Sequence, residues 1–354
     1  MALGALPTVF AVLSGVGFFL LWGNMSLNGG SIAMFKSAWT GVFPDGTTLQ
    51  NNHSGSPYAD FGLNVLIAFF ASASRLGDVD AGPFLILLDL TTCLLVINMA
   101  VLVESRRRTG FWMKSPAIWQ YLWNCGGVAV FLPLWSLGFV KQRALAPSSL
   151  LSIPEAQALP LTALISPILE APLFYATYTA AGSLASQKGV ILFFLGPPLF
   201  SLFQTIVAST INALSIKPFG SGSSPIKTAY WITAIISSAA HVATVAWAAT
   251  STDPALNLGR VYFPHGDAVK ADDPNMLTEA AHLFLQWDFV IINATVLILG
   301  AHLLGSKSGD KAASSNKGSV ATLVGLTAVF GPGAGLAYAL NAEEDELEYH
   351  SKRL

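Results

Sequence analysis

The chain has 354 residues, of which 53% are apolar and only 11% are charged. Soluble domains carry about 25% charged residues, so this composition excludes an ordinary soluble protein and indicates an integral membrane protein. The formal net charge is −2, from 18 basic and 20 acidic residues. With no basic excess to neutralise phosphates, nucleic acid is not expected as a partner. The two cysteines are too few to build a disulfide framework.

Apolar runs of about 20 residues, the length that crosses a bilayer, recur along the chain. They lie at residues 6–22, 83–104, 118–140, 158–182, 189–211, 228–250, 280–304 and 319–340. A shorter apolar run at 61–74 has the length of a re-entrant or interfacial helix, and a ninth crossing is the alternative. The sequence therefore predicts an all-α, polytopic transmembrane helical bundle of about eight spans, forming one domain over residues 1–342.

The orientation follows from the positive charges next to the second span. Arg106, Arg107 and Arg108 come directly after it, with Lys114 close behind, and such clusters mark the cytoplasmic side. The polar segment 23–60 is then predicted to be a lumenal loop. The charged residues 343–354 are predicted to form a solvated tail. The expected location is the membrane of the endoplasmic reticulum.

Four carboxylates lie within or at the ends of the predicted spans, and they are the candidate catalytic residues. They are Asp89, Glu104, Glu170 and Asp288. A carboxylate at the centre of a bilayer costs about 2.5 kcal/mol or more, so such residues face the bundle interior and often carry function there. Low dielectric disfavours the charged form, which leaves a neutral acid able to donate a proton. For Glu104, a simple ion pair with Arg107 or Arg108 is the alternative.

Aromatic and amide side chains share the spans with these acids. In the 158–182 span, Phe174 and Tyr178 follow Glu170 at steps of four residues and so lie on its helix face. Aromatic faces stabilise cations, and amides or a histidine orient an acid by hydrogen bonds. Packing, or a place in the interfacial aromatic belt, is the simpler alternative for most of them. The candidate substrate-binding residues are Asn98, Trp123, Asn124, Phe174, Tyr175, Tyr178, Trp231, His241, Trp287 and Asn293.

Several motifs of other enzyme classes are missing from the sequence. There is no GxxxxGK[ST] phosphate loop, no HExxH zinc motif and no GxSxG nucleophile elbow. No DDxxD element is present to bind a prenyl diphosphate through magnesium, and no cluster of His, Cys and Asp has the spacing of metal ligands. Neither a metal nor an organic cofactor is therefore expected.

Two stretches resemble signatures of the fungal integral-membrane terpene cyclases of meroterpenoid pathways, the group that forms ascofuranone and macrophorin skeletons. They are Leu-Val-Glu-Ser-Arg-Arg-Arg at 102–108 and Phe-Leu-Gln-Trp-Asp at 284–288. The resemblance implies a cyclase that protonates an epoxide or olefin on a prenyl chain attached to an aromatic or polyketide core. For this chemistry we expect either Glu170 or Asp288 as the proton donor, with Glu104 the next candidate, and the remaining acid to orient it or to accept the final proton. The expected partners are a prenylated aromatic or polyketide small molecule and membrane lipid.

Other functions also account for intramembrane acids. A proton-coupled transporter or lipid receptor retains such residues, although no internal repeat is visible in this sequence. A membrane isomerase resembling the sterol isomerases would share the cation chemistry but act on a preformed ring system. A non-catalytic membrane scaffold is the remaining alternative.

Overall fold

The computed structural model describes residues 5–74, 76, 80–107, 113–145, 151–175, 183–217, 223–305 and 319–351. This part of the chain is built from helices, with a single isolated β-bridge between Val42 and Thr48. The prediction of an all-α bundle is therefore confirmed. Tyr178, a candidate substrate-binding residue, lies outside the described residues.

The helices are numbered here in chain order. They are α1 Leu6–Leu27, α2 Gly30–Thr40, α3 Pro57–Ser74, α4 Gly82–Arg107, α5 Pro116–Gly126, α6 Val128–Leu145, α7 Ile153–Phe174, α8 Ser183–Phe193, α9 Gly196–Ala213, α10 Ser224–Thr250, α11 Leu258–Tyr262, α12 Met276–Gly305 and α13 Val320–Ser351.

Six of these helices are long and apolar enough to cross a membrane, namely α1, α4, α7, α10, α12 and α13. A seventh span is obtained if α8 and α9, which meet at a bend of 44°, are counted as one. The sequence predicted about eight spans, and the difference arises at residues 118–140. That apolar run is divided between α5 and α6 by a break at Gly127, so neither helix alone has the length and hydropathy of a span.

Helix α4 lies at the centre of the bundle. Its residues from Leu85 to Val103 are apolar on nearly every face, and almost all of them are buried. A helix that is hydrophobic all round has no face suited to water or headgroups, so it is enclosed by other helices. Helices α10, α12 and α13 pack against it, and α3, α5, α7 and α11 complete the enclosure. Side chains on opposite faces of α4 therefore point into different parts of the interior.

Two helix breaks occur at glycines with positive φ. Gly127, between α5 and α6, has a φ of +95°, and Gly331, inside α13, has a φ of +84° followed by Pro332. Side-chain-bearing residues rarely adopt these angles. A Cβ at position 331 would also lie 2.9 Å from Cγ of His241, so α13 approaches α10 closely only because this residue is glycine.

The structure adds detail to three predictions about the segments between spans. Residues 23–60 are not a continuous loop, because they include the end of α1 and all of α2. The run 61–74 is helical, within α3, and packs against α2, α8 and α12, while its re-entrant or interfacial placement stays a prediction. The tail 343–354 is not simply solvated, since α13 continues to Ser351 and both Glu343 and Glu344 form ion pairs with the bundle.

Candidate functional site

Two adjoining cavities lie against α4. The larger has a volume of about 590 Å³ and the smaller about 370 Å³. Leu94 of α4, Asn124 of α5 and Phe193 of α8 line both cavities, so these side chains form the boundary between them. One carboxyl group stands on the wall of each, Asp288 in the larger cavity and Glu170 in the smaller. The structure thus brings two of the four predicted acids to one connected site.

Aromatic side chains dominate the wall of the larger cavity. Its aromatic lining comprises Trp22, Phe69, Phe70, Trp123, Phe193 and Phe284. The ring of Phe284 meets those of Trp22 and Phe69 edge to face, with centroid distances of 5.4 and 5.1 Å. Ring faces carry partial negative charge, so such a wall accommodates a hydrocarbon chain and also stabilises a positive charge on it.

Asp288 is held at the beginning of helix α6. Its two oxygens accept hydrogen bonds from the backbone N–H groups of Val128 and Ala129, at 3.3 and 2.5 Å. These are free N–H groups of a helix N-terminus, exposed by the break at Gly127, and the helix dipole there favours negative charge. The side chain is 3% exposed. The two backbone hydrogen bonds therefore offset part of the cost of burying the charged carboxylate of Asp288.

Glu170 has a different environment. It ends the α-helical part of α7 and is partly buried at the wall of the smaller cavity. Within the described residues, no hydrogen bond, ion pair or counter-charge reaches its carboxyl group. Three amide side chains, those of Asn98, Gln120 and Asn124, line the same cavity. A carboxyl group with no compensating charge at this depth is more stable as the neutral acid.

Two of these amides are incompletely paired. Nε2 of Gln120 and Oδ1 of Asn98 are buried atoms with no hydrogen-bond partner in the described part of the protein. The sequence interpretation expected Asn98 and Asn124 to orient the acid. The structure instead gives them places on the cavity wall beside Glu170, with no hydrogen bond from either to its carboxyl group among the described contacts.

Asp89 lies on α4 in a separate buried cluster and lines neither cavity. Its Oδ2 accepts a hydrogen bond from the hydroxyl of Tyr262 at 2.8 Å and lies 2.7 Å from Nδ1 of His241. The ring of His241 stacks on Phe289 of α12. Burial, and then the charge of Asp89, raise the pKa of Tyr262 far above its ordinary value. The cluster joins α4, α10 and α12 to the short helix α11.

Glu104 belongs to a buried ion-pair cluster at the end of α4. Arg107 donates to Glu104 at 3.2 Å and forms a two-pronged pair with Glu344 of α13 at 2.8 and 2.5 Å. Arg143 of α6 lies 3.7 Å from Glu104 and also pairs with Glu343. The alternative considered from the sequence, an ion pair with Arg107, is what the structure shows. Glu104 lines neither cavity.

The remaining candidates divide between cavity wall and elsewhere. Trp123 lines the larger cavity, and its indole N–H is buried without a hydrogen-bond partner among described residues. Tyr175 and Trp231 are about half exposed on the outside of the bundle. The other candidates are packed against the core or bonded within their own helix, namely Phe174 against Phe84, Trp287 against the core, and Asn293 to the carbonyl of Phe289. Apart from Trp123, the residues named in this paragraph line neither cavity.

Sequence reasoning missed several residues of the site. Gln120 is the clearest, because it is a polar side chain inside an apolar run and the argument applied to the four acids would have selected it. Trp22, Phe69, Phe70, Phe193 and Phe284 carried no distinguishing signal, since each resembles an ordinary packing residue. Phe284 does begin the Phe-Leu-Gln-Trp-Asp stretch that ends at Asp288.

Comparison with known proteins places the chain in a family. Terpene cyclase DEP1 of Fusarium langsethiae is 26% identical over 94% of this chain and 96% of its own length. Terpene cyclase DEP1 of Alternaria brassicicola is 27% identical over 96% and 98%, respectively. Terpene cyclase alnG of Emericella nidulans is 25% identical over 92% and 90%. No solved structure matches the chain.

These full-length similarities confirm the resemblance to fungal terpene cyclases that the two short stretches suggested. The profile of the CtvD domain matches residues 6–348, and this match includes both cavities and every helix that lines them. The chain therefore belongs to the CtvD domain family.

Proposed function

We propose that this protein is a membrane-bound terpene cyclase that protonates a prenyl chain and guides cyclisation of the resulting cation. The observation that carries the proposal is the pair of adjoining cavities, with Glu170 on one wall and Asp288 on the other. The relatives named terpene cyclase, similar over nearly their whole length, support it. The proposed substrate is a meroterpenoid precursor, a prenylated aromatic or polyketide that reaches the site from the membrane of the endoplasmic reticulum.

The contrast between the two carboxyl groups supports a different role for each. Glu170 has no compensating charge among the described residues, which favours the neutral acid and therefore a proton donor. Asp288 accepts two backbone hydrogen bonds at a helix N-terminus, which favours the carboxylate. Two carboxyl groups with environments that separate their protonation states are the usual basis of an acid and base pair. Glu170 is the proposed donor, and Asp288 is the proposed anionic group.

The proposed reaction consumes no cofactor and balances as an isomerisation. With a terminal epoxide, the proton of Glu170 moves to the epoxide oxygen, and the electrons of one C–O bond move to that oxygen to form a hydroxyl. The carbon left positive is attacked by the nearest double bond of the chain, and ring closure moves the charge along it. The last cation loses a proton to the carboxylate of Asp288, and transfer of one proton from Asp288 to Glu170, directly or through solvent, restores the enzyme. With a terminal olefin, Glu170 protonates carbon instead, and later steps are the same.

The larger cavity suits the cationic part of this sequence. Aromatic faces stabilise a desolvated cation by about 2 kcal/mol. Trp22, Trp123 and Phe284 are the proposed cation-stabilising rings, and the carboxylate of Asp288 adds an opposite charge on the same wall. A mostly apolar lining excludes the water that would quench the cation early.

Asp89 and Glu104 have structural roles in this proposal. Asp89 is bonded to His241 and Tyr262, and Glu104 is paired with Arg107. Both acids lie on α4 but outside the two cavities, so neither reaches a substrate bound there. We expect substitutions at these two positions to act through stability.

Product analysis in microsomes tests the proposal. Microsomes from a eukaryotic host expressing the chain are incubated with a farnesylated phenol and with its terminal epoxide, and products are separated by chromatography with mass detection. The expected product is an isomer of unchanged mass. Removing a general acid lowers rates by about 10²–10⁴-fold, so Glu170→Gln is expected to abolish measurable turnover. The matched control is Glu155→Gln, which lies on the same helix but outside both cavities.

Each other outcome points to a different function. An unchanged substrate pool, with folded protein, would overturn the cyclase proposal and favour transport or binding. A shifted double bond in a sterol control would favour an isomerase. Full activity of a folded Glu170→Gln protein would remove Glu170 from the donor role, and loss of activity in Asp288→Asn alone would transfer that role to Asp288.

A further inference from the structure

Gln120 differs in its hydrogen bonding from three other buried glutamines in the described part of the chain. Gln187, Gln204 and Gln286 are each 1% exposed or less, and both ends of each amide bond to protein groups. Gln120 is 3% exposed, yet its Nε2 has no partner in the described part of the chain. A buried polar atom without a partner is costly, so an unpaired one on a cavity wall is available to a ligand.

Asn98 presents the complementary group. Its Oδ1 is buried and also without a partner among described residues. Asn98 stands one helical turn beyond Leu94 on α4, and Gln120 stands one turn before Asn124 on α5. All four line the smaller cavity together with Glu170 of α7. An unpaired donor, an unpaired acceptor and an uncompensated acid thus line the same cavity.

We propose that Gln120 and Asn98 form an amide pair that binds an oxygen atom of the substrate next to Glu170. This inference rests on the proposed function and names the residues that hold the reacting group. Nε2 of Gln120 donates a hydrogen bond to the substrate oxygen before and after protonation. Oδ1 of Asn98 accepts from the hydroxyl that exists only once Glu170 has transferred its proton. Each of these amide groups has an N–H donor end and a C=O acceptor end. If both amides were rotated by 180°, the pair would still offer one donor and one acceptor to the substrate oxygen.

Gln120 and Asn98 also determine the orientation of the proposed substrate across the two cavities. The oxygen-bearing end of the prenyl chain lies in the smaller cavity, beside the amides. The rest of the chain passes Leu94, Asn124 and Phe193 into the larger aromatic cavity, where Asp288 lies. A plain olefin in the same position would leave Gln120 and Asn98 buried without hydrogen-bond partners. Because that is costly, the site is expected to bind the olefin much more weakly than a substrate with an oxygen atom there. Selectivity for an oxygen-bearing end therefore follows from these two residues.

The two amides are expected to differ in kinetic effect. A contact made in both ground and transition states lowers KM, and one made only as the hydroxyl forms raises kcat. Gln120→Met is expected to raise KM and lower kcat/KM for the epoxide at least tenfold. Asn98→Leu is expected to lower kcat at least tenfold with little change in KM. Each substitution is expected to leave turnover of the olefin unchanged or to raise it, because it removes a polar group that the olefin leaves without a partner.

The control is Gln204→Met, which removes an amide that has a complete set of hydrogen bonds and lines neither cavity. It is expected to lower the Tm and leave kcat/KM per folded molecule unchanged. Gln120→Met is expected to keep the parental Tm, because it replaces a polar atom that has no protein partner.

The experiment compares the epoxide and the olefin of one farnesylated phenol with the parent and the three variants in detergent-solubilised, full-length protein. Parental activity on the epoxide with unaltered kcat/KM in Gln120→Met would overturn the inference and leave the proposed function standing. Equal losses on both substrates, or a fall in Tm matching that of Gln204→Met, would also overturn it. No turnover of either substrate by the folded parent would overturn the proposed function and this inference together.

Discussion

Replacing Arg107 with methionine is expected to destabilise the fold by about 3–5 kcal/mol, the cost of removing one partner from a buried ion pair. Its guanidinium makes three charge-assisted hydrogen bonds, one to Glu104 at 3.2 Å and two to Glu344 at 2.8 and 2.5 Å. These side chains are 1–3% exposed, so water does not replace what is lost. Arg143, 3.7 Å from Glu104, still compensates one carboxylate and keeps the cost within this range.

Thermal unfolding in detergent measures this cost. Cys93 is buried and Cys125 is exposed, and both are free thiols. In a Cys125→Ser background, a thiol-reactive dye therefore reports the exposure of Cys93 on unfolding. At about 2 °C per kcal/mol, Arg107→Met is expected to lower the Tm by about 5 °C or more.

Two companion variants sharpen the result. Glu104→Gln leaves the two-pronged Arg107–Glu344 pair in place, so its Tm is expected to lie between those of the parent and Arg107→Met. A triple variant removes all three charges and is expected to recover most of the stability. Its substitutions are Glu104→Gln, Arg107→Met and Glu344→Leu. A Tm for Arg107→Met within about 1 °C of the parent would refute the reasoning. So would a triple variant as unstable as the single one.

Three further predictions concern the helix breaks and the buried clusters. Gly331→Ala is expected to lower the Tm, because φ at this residue is +84° and the new Cβ would lie 2.9 Å from Cγ of His241. Gly325→Ala is the control in the same assay and is expected to leave the Tm unchanged, because there is open space around Gly325. Tyr262→Phe is expected to flatten the loss of stability at alkaline pH. Burial first, and the charge of Asp89 second, raise the pKa of Tyr262 above its ordinary 10.0, so the native state keeps a proton that the unfolded state releases. The stability from this group is complete below about pH 10 and is lost as pH rises further, and unfolding profiles that stay parallel in the parent and Tyr262→Phe would contradict it. Asp288→Asn is expected to lower both the Tm and turnover, whereas Glu170→Gln lowers turnover alone, and a normal Tm for Asp288→Asn would show that the N-terminus of α6 does not depend on the carboxylate.

The class of fold and the main acids were accessible from the sequence because both depend on local hydropathy. A run such as 83–104 is apolar whatever surrounds it, and an acid within a span is conspicuous for the same reason. Glu170 and Asp288 were selected in this way, and both line the cavities. The Glu104–Arg107 pair was also accessible, because helical spacing alone brings the two side chains together.

Features set by long-range packing were not accessible. Apolar helices carry almost no directional signal, so the sequence could not show that Trp22 faces a cavity while Trp231 faces outward. The contact of Asp89 with His241 joins residues 152 positions apart, and no local spacing predicts it. The division of the 118–140 run likewise depends on a positive φ at Gly127, which neighbouring hydropathy does not encode.

The break at Gly127 has a consequence for how this family changes over time. It exposes backbone N–H groups of Val128 and Ala129 inside the bundle, and the carboxylate of Asp288 accepts a hydrogen bond from each. On the other side of the break, the carbonyl of Gly126 accepts from the indole of Trp22. A sequence that lost the acid at 288 would strand these donors unless it also straightened the helix by replacing the glycine. Positions 127 and 288 are therefore expected to be inherited as a pair, with relatives retaining both or neither.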